Sequence, residues 1–321
     1  MPPWLQAVIL GIVQGLTEFI PVSSSGHLVI VPYLAGWERP GLAFDVALHI
    51  GSAAAVILYF HRELLAMARG VVLGGRDPDG RIYRRLAVFL VIGSVPVAVA
   101  GFLLEDLVSE VFEQPLFVAG FLLVTAALLL GAERVRGVRV RQTPAPAGPD
   151  AAERRVWTGS WVGPPGDAEQ AAEVTLPVGA DGGDPRGRTL ETLGLRHVLV
   201  VGLIQMMALM PGISRSGATI SAGMMSGLTR EAATRFSFLL SLPALLGAFI
   251  VSLPGLAEPG PYSGMVITGG VIASFVASYA AVRFLVRLVS RDRLTPFARY
   301  CLFVAVVTVI AYQFLGPPSS V

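Results

Sequence analysis

Six apolar segments, each roughly 20 residues long, constrain the fold of this 321-residue chain more than any other feature. They lie at about 43–61, 86–104, 115–133, 234–254, 264–289 and 297–315. A helix of roughly 20 apolar residues crosses the hydrocarbon core of a bilayer, which is about 30 Å thick. Only 14% of the residues are charged, whereas soluble proteins carry roughly 25%. The sequence therefore predicts an all-α polytopic membrane protein.

Net charge and cysteine content exclude several other classes of protein. The formal net charge is +2, and the positive residues are spread between the apolar segments, so no nucleic-acid partner is expected. The single cysteine, Cys301, lies within an apolar run. One cysteine supports neither a disulfide framework nor a thiolate metal cluster.

Two pairs of shorter apolar segments each surround a proline. The first pair, 4–20 and 24–36, is broken at Pro21, and the second, 197–210 and 216–228, is broken at Pro211. None of these segments is long enough to span a bilayer comfortably. Non-helical backbone is tolerated at membrane depth only where protein surrounds it. We therefore predict two re-entrant helical hairpins, at 4–36 and 197–228, with polar tips inside the protein.

The two halves of the chain resemble one another. A Gly-x-x-Gln sequence ending at Gln14 leads to Pro21 and then to a Ser-Gly pair, and a second one ending at Gln205 leads to Pro211 and another Ser-Gly pair. Each half also places its hairpin before three longer segments. We interpret this pattern as an internal duplication, with one repeat at 1–135 and the other at 191–321.

Loop charges predict how the spans are oriented. The 62–85 loop and the 287–299 connection are rich in arginine, whereas 105–114 and 255–263 contain no lysine or arginine. Because cytoplasmic loops carry the excess of basic residues, the first two face the cytoplasm and the last two face outside.

An odd number of spans per half then inverts the second repeat relative to the first. Hairpins that enter from opposite faces bring their tips together near the bilayer midplane, as in inverted-repeat transporters. Between the repeats, residues 136–190 are rich in Pro, Gly, Asp and Ala. That composition predicts a disordered cytoplasmic linker.

Polar groups concentrate at the tips of both hairpins. The first polar segment spans 14–27 and the second spans 211–219. Their candidate functional side chains are Gln14, Glu18, Ser23, Ser24, Ser25, His27, Ser214, Arg215, Ser216 and Thr219. Such groups are costly to bury in hydrocarbon, so in a membrane protein they indicate a functional site.

The types and spacing of these residues favour a phosphate ligand. Gln14 and Glu18 are four residues apart and share one face of a helix. Serines after a proline suit helix N-caps, and helix N-termini attract phosphate. The planar fork of Arg215 matches phosphate oxygens, and His27 lies three residues beyond Ser24, where it could activate a hydroxyl.

Each feature also has a structural explanation when it is taken alone. Serine caps and Pro-Gly breaks are common helix punctuation, and a lone membrane histidine or arginine is often a packing residue. Asp45 and His49, also four residues apart, are interpreted as an ordinary interfacial pair. The coincidence of acid, serines, histidine and arginine at two related breaks favours a phosphate-handling site.

These motifs resemble those of a known family. Gln-Gly-Leu-Thr-Glu at 14–18, Pro-Val-Ser-Ser-Ser-Gly-His at 21–27 and Pro-Gly-Ile-Ser-Arg-Ser-Gly-Ala-Thr at 211–219 are similar to the motifs of the undecaprenyl-diphosphate phosphatases of the bacitracin-resistance type. The resemblance covers nearly the whole chain except 136–190. It implies a bacterial plasma-membrane enzyme that hydrolyses undecaprenyl diphosphate to the monophosphate, recycles this carrier for peptidoglycan synthesis and confers bacitracin resistance.

The resemblance also implies roles for single residues. Glu18 matches the essential acid, Ser24 the proposed nucleophile, His27 its partner and Arg215 the phosphate-binding arginine. It further implies a divalent cation, Mg²⁺ or Ca²⁺, at Glu18 with Gln14, and a site open to the outer face. The remaining phosphate-binding positions are Ser23, Ser25, Ser214, Ser216 and Thr219.

Two departures from the family pattern stand out. Gln14 replaces the glutamate of some relatives, which removes one anionic metal ligand, and the 136–190 insertion is longer than expected.

The expected partners are the polyprenyl diphosphate lipid and the bilayer, and a homodimer is compatible with the sequence.

The residues leave the reaction path and one other function open. Ser24 attacks phosphorus with His27 as base, or both orient a water molecule. The alternative function is a transporter or flippase of the polyprenyl monophosphate that uses the same anion site. A purely structural scaffold would leave Glu18 and Arg215 buried without a purpose.

Overall fold

The computed structural model describes residues 1–75, 78–104, 114–142, 187–256, 262–289 and 293–318. These ranges fold mainly into α-helices. The helices are α1 Pro3–Phe19, α2 Ser24–Ala35, α3 Leu42–Tyr59, α4 His61–Val72, α5 Pro78–Leu103, α6 Pro115–Gln142, α7 Leu195–Gln205, α8 Arg215–Ser226, α9 Arg230–Leu256, α10 Gly264–Val289 and α11 Thr295–Leu315. Short 3₁₀ turns at Leu190–Thr192 and Met206–Leu209 precede and follow α7.

The structure confirms an all-α protein with membrane-spanning helices. Within the described ranges, α5, α6, α9, α10 and α11 are long and apolar enough to cross a bilayer. The α3–α4 pair counts as a sixth span only if the 75° bend between the two helices lies within one crossing. In both halves a pair of short helices precedes the long ones, and the inverted relation between the halves stays a prediction.

The helices extend further into charged sequence than predicted. The expected 62–85 loop contains α4, and α5 begins at Pro78 rather than near 86. Helix α6 continues to Gln142, seven residues into the predicted linker. Ala, Leu, Met, Glu and Arg are good helix formers whatever their polarity, so a criterion based on apolar runs ends these helices too early.

The part of the predicted linker nearest the second half is also ordered. The Arg188 backbone pairs with the chain that follows α8, through Arg188 N–H to the Gly227 carbonyl at 2.9 Å and Thr229 N–H to the Arg188 carbonyl at 3.0 Å. The described structure thus includes both ends of the predicted linker, 136–142 and 187–190, while 143–186 lies outside the described residues. The disordered linker stays a prediction.

Close packing of α1 on α10 holds the first polar segment in place. A side chain on Gly11 would collide with the Gly270 carbonyl, and one on Gly15 would collide with the Ser274 carbonyl and lie 2.6 Å from the Ala277 methyl. Small residues four apart let membrane helices approach closely. Gly15 lies between Gln14 and Glu18 on this helix, so the same packing positions the acid.

Hydroxyl groups join α3 to α10 beside this contact. The Ser274 hydroxyl donates to the Leu48 carbonyl at 2.8 Å, and the Ser278 hydroxyl donates to Ser52 at 2.9 Å. These three serines are fully buried, and interhelical hydrogen bonds of this kind stabilise membrane bundles. Helices α1, α3 and α10 therefore form one packed unit around the polar tip.

Replacing Gly15 by leucine is expected to lower the melting temperature in detergent and to displace Glu18, because overpacking costs about 1–3 kcal/mol. Gly120→Leu on α6 is the matched control, since no atom lies within 4 Å of a side chain added there. Thermal unfolding monitored by size-exclusion chromatography compares the two variants. Equal melting temperatures would show that the α1–α10 contact tolerates a large side chain.

Candidate active site

The N-termini of α2 and α8 meet at the carboxylate of Glu18. The Ser24 hydroxyl, in the first residue of α2, donates to Glu18 Oε2 at 2.6 Å. The Arg215 guanidinium, in the first residue of α8, donates to Glu18 Oε1 at 2.8 Å. The two polar segments, almost two hundred residues apart in sequence, thus contribute to one cluster.

Similar local sequences build both helix starts. Helix α1 ends at Phe19, and the extended backbone of Ile20 leads into Pro21. Ser23 then caps α2 by accepting from the Gly26 N–H at 3.2 Å, and Ser214 caps α8 by accepting from the Gly217 N–H at 3.0 Å. Caps of this type leave other N–H groups of the first turn free to bind an anion.

Two positions near the breaks have unusual backbone angles. Ser23 has φ +72°, the one positive value at a non-glycine residue within the described ranges. Strain of this kind concentrates at functional sites, where the surrounding structure enforces it. Gly212 has φ +101°, and a side chain there would collide with the Val118 carbonyl, so α6 presses directly on the second break.

The Glu18 carboxylate is buried and has several partners. It is 5% exposed. Besides Ser24 and Arg215, it accepts a hydrogen bond from Gln14 Nε2 at 2.9 Å and lies 3.4 Å from His49 Nε2. A buried carboxylate with this many donors is stabilised in its charged form. Glu18 therefore joins α1, α2, α3 and α8 at one point.

The sequence interpretation of His49 and Asp45 as an ordinary interfacial pair missed their place beside the site. His49 Nδ1 lies 2.7 Å from the Asp45 carbonyl oxygen, so this nitrogen donates and Nε2 faces Glu18. The Asp45 carboxylate in turn pairs with Arg39 at 2.7 Å. Their four-residue spacing was visible in the sequence, but their distance from Glu18 depends on how α3 packs beside α1.

His27 has partners other than the serine predicted for it. Its Nδ1 lies 2.7 Å from the Ser23 carbonyl oxygen and therefore donates. Its Nε2 then accepts from the Tyr300 hydroxyl at 2.9 Å, and the two rings stack with centroids 5.6 Å apart. The expected contact between His27 and the Ser24 hydroxyl is not formed. With both nitrogens engaged, His27 supports the backbone of the strained turn at Ser23.

The predicted phosphate-binding residues divide by exposure. Ser24, Ser25 and Arg215 are half-buried, whereas Ser23, Ser214, Ser216 and Thr219 are buried. Three of the buried hydroxyls bond within the second polar segment or near it: Ser214 with Ser216 at 3.2 Å, and Thr219 with the Arg215 carbonyl at 2.8 Å. The buried set thus shapes the two turns, and the half-buried set keeps some exposed surface.

Two residues that the sequence did not single out anchor the second polar segment. Ser237 on α9 contacts the Thr219 hydroxyl at 2.6 Å, and its carbonyl accepts from Arg215 at 3.3 Å. Thr125 on α6 accepts from the Ser214 N–H at 2.9 Å and donates to the Gly212 carbonyl at 3.0 Å. Neither residue lies in a recognisable motif, because each acts through a contact with a distant part of the chain.

The cation expected at Glu18 and Gln14 was tested against the side chains present. No group of three or more His, Cys, Asp or Glu residues capable of holding a metal occurs in the described part of the chain. Gln14 is fully buried, however, and its Oε1 has no hydrogen-bond partner there. One carboxylate and one amide oxygen suit Mg²⁺, which keeps much of its shell for water and substrate phosphates. The residues fit a cation that is held jointly with phosphate.

Known proteins are similar to this chain over nearly its whole length. The model of the family described as "Bacitracin resistance protein BacA" matches residues 7–307. The chain is 36% identical over 312 residues to an undecaprenyl-diphosphatase of Geobacter sulfurreducens, covering 97% of this chain and 98% of that protein. It is 38% identical over 315 residues to an undecaprenyl-diphosphatase of Mycobacterium avium, covering 93% of each. The family model therefore spans the two polar segments, 14–27 and 211–219.

Proposed function

This chain belongs to the family of the bacitracin resistance protein BacA, and from that membership we propose that it hydrolyses undecaprenyl diphosphate to undecaprenyl phosphate and inorganic phosphate. One observation carries the proposal. Ser24 and Arg215, at the N-termini of α2 and α8, both donate hydrogen bonds to the Glu18 carboxylate. A nucleophile, Ser24, and a phosphate clamp, Arg215, lie within hydrogen-bond distance of one carboxylate that accepts a proton, an arrangement suited to phosphoryl transfer.

Arg215 and the two helix N-termini bind the diphosphate in this mechanism. The guanidinium presents two parallel donors to phosphate oxygens, and the N–H groups at the starts of α2 and α8 add partial positive charge. Both devices stabilise negative charge as it develops on the transferring phosphoryl group. Because Ser237 and Glu18 hold the guanidinium beforehand, it needs little reorganisation.

Ser24 attacks the terminal phosphorus, and its proton passes to Glu18. The 2.6 Å hydrogen bond from the Ser24 hydroxyl to Glu18 Oε2 provides the path for that proton. The bond between phosphorus and the bridging oxygen breaks, and the lipid monophosphate leaves. Water then hydrolyses the phosphoserine and returns the enzyme. His27 orients the turn that carries Ser24 through the Ser23 carbonyl, a role that differs from the base implied by the resemblance.

A divalent cation, Mg²⁺ or Ca²⁺, completes this proposal. Glu18 and the Gln14 amide oxygen would hold it, and it would neutralise phosphate charge. With an amide in place of a second carboxylate at position 14, the protein contributes one negative charge to that ion.

The cellular role follows from the substrate and from the charge of the loops. Hydrolysis of the diphosphate recycles the lipid carrier for peptidoglycan synthesis and confers bacitracin resistance. The arginine bias of the loops supports a multi-pass protein of the bacterial plasma membrane whose site opens to the outer face. The polyprenyl tail then lies among the apolar helices, and a homodimer is compatible with the fold.

Phosphate release from undecaprenyl diphosphate by the protein purified in detergent tests the proposal, because no transport across a bilayer occurs there. Ser24→Ala is expected to lower release by about 10³-fold or more, and a phosphoenzyme trapped by acid quench in wild type should be absent. Ser226→Ala, at the far end of α8, where its hydroxyl bonds the Gly223 carbonyl, is the control and should remain active.

Two other outcomes would change the assignment. Full phosphate release by Ser24→Ala without any trapped phosphoenzyme would assign the attack to water. No release by the wild-type protein in detergent, together with translocation of the lipid monophosphate in vesicles, would favour the flippase function instead.

A further inference from the structure

A cluster of basic residues, separate from the Glu18 site, lies between α4 and the start of α5. The structure has a cavity of about 350 Å³ there, large enough for a lipid headgroup. Arg62 and Arg69 line it from α4, and Asp79 and Tyr83 line it from α5. The proposed catalytic mechanism uses none of these residues.

The stripe of α4 that faces the cavity alternates basic and apolar side chains. Arg62, Leu65, Arg69 and Leu73 line the cavity, and their spacing places them on one helix face. The two arginines are separated by about two helical turns, roughly 10 Å along the axis, and both are exposed. Within the described ranges neither arginine forms a salt bridge, so both are available to an anion.

Apolar exposure accompanies the positive charge. Leu65 is 56% exposed and Leu73 59%, and the neighbouring Val72 is 80% exposed. Helix α4 turns 75° away from α3 at Phe60, so it runs across the end of that helix rather than along it. An amphipathic helix in this position, basic along one stripe and apolar beside it, is typical of the membrane–water interface.

A close backbone contact between α4 and α5 forms part of the cavity lining. A side chain on Gly70 would lie 2.6 Å from the Gly80 carbonyl oxygen, so α4 and α5 approach as closely as their backbones allow. The lining contains one acid, Asp79, and two arginines, and the N-terminus of α5 beside Asp79 adds partial positive charge. The cavity therefore has a net positive lining with an apolar margin.

From this geometry we infer that the α4–α5 cavity binds the headgroup of an anionic phospholipid, with the acyl chains lying along Leu65 and Leu73. The arginines bind the phosphate, and the exposed leucines continue into the hydrocarbon. The loop that follows α4 is among those whose charge predicts a cytoplasmic position, so the lipid belongs to the cytoplasmic leaflet, where anionic lipids attract basic clusters.

Native mass spectrometry of the full-length protein in detergent with equimolar phosphatidylglycerol and phosphatidylcholine tests the inference. Wild type should retain phosphatidylglycerol preferentially. Arg62→Gln/Arg69→Gln should weaken that binding by about 25-fold, because each arginine at an anionic surface contributes roughly fivefold in affinity. Ala66→Phe, which fills the cavity without changing charge, should also abolish the preference.

Arg196→Gln/Arg299→Gln is the matched control, because it removes two exposed arginines elsewhere on the predicted cytoplasmic face. It should bind phosphatidylglycerol as wild type does. If the control lost as much phosphatidylglycerol binding as Arg62→Gln/Arg69→Gln, the effect would come from net charge alone and the inference would be overturned. Unchanged binding by Arg62→Gln/Arg69→Gln would also overturn it. Displacement of the lipid by inorganic phosphate would show a small-anion site instead.

Discussion

Replacing Arg215 by alanine is expected to lower phosphate release by about 10³-fold or more, because a phosphate clamp acts mainly in the transition state. The guanidinium contacts Glu18 at 2.8 Å and the Ser237 carbonyl at 3.3 Å, so it is positioned before the substrate arrives. Steady-state release of inorganic phosphate by the purified variant measures the effect. We expect kcat to fall by a larger factor than KM rises, since the interaction strengthens as charge develops.

Two further variants separate catalysis from folding. Arg215→Ala leaves Glu18 without its guanidinium partner, and breaking a buried ion pair typically costs about 3–5 kcal/mol, so the melting temperature should fall. Arg215→Ala/Glu18→Gln removes both charges and should regain stability without regaining activity. Arg299→Ala, an exposed position on α11, is the control. Substantial turnover by a folded Arg215→Ala variant would contradict the role assigned to this arginine.

Glu18→Gln is expected to lower phosphate release by about 10²–10⁴-fold, the usual contribution of a positioned proton acceptor. Glutamine keeps the shape of the side chain and still accepts a hydrogen bond from Ser24. It does not take up the proton of the Ser24 hydroxyl, and it removes the negative charge that faces Arg215 at 2.8 Å. Rapid-quench measurement of phosphoenzyme formation isolates the step in which Ser24 attacks.

Glu231→Gln provides the control for the loss of a carboxylate. Glu231 is 53% exposed and pairs with Arg235 one turn along α9, so its removal should leave turnover near wild type. If Glu18→Gln formed phosphoenzyme at the wild-type rate, the proton from Ser24 would have another acceptor. His49 is then the nearest candidate, since its Nε2 lies 3.4 Å from Glu18 Oε2.

Much of the helical architecture could be predicted from the sequence because hydropathy is a local property. The long apolar segments became α3, α5, α6, α9, α10 and α11, since a bilayer requires backbone groups to bond within one helix. The breaks at Pro21 and Pro211 also lie between helices, since the missing N–H donor of proline and its clash with the preceding turn favour a helix end, although Pro32 and Pro96 lie inside α2 and α5. Helix α4 was not predicted because it is amphipathic, and its arginines interrupt the apolar run that a hydropathy criterion requires.

The candidate site could be predicted only as a set of residues. Glu18, Ser24 and Arg215 were predicted as site residues because polar side chains are costly to bury in hydrocarbon and because they lie in recognisable motifs. The structure brings the three side chains together. The partner of His27 was wrong: sequence proximity placed it beside Ser24, whereas the helix turns its ring toward Tyr300 on α11. Residues three apart on a helix lie near one face, but the Ser23 carbonyl and the Tyr300 hydroxyl engage both ring nitrogens of His27, so nearness in sequence does not establish contact.

The sequence by itself determined that this chain is a helical membrane protein with two proline-broken polar segments, because hydropathy, proline and N-cap chemistry act over a few residues. Only the tertiary structure decided what surrounds Glu18. His49 reaches it because α3 packs beside α1, and Ser237 and Thr125 hold the second polar segment from α9 and α6. These contacts depend on how the helices pack against one another in three dimensions, and no local pattern encodes which helices meet.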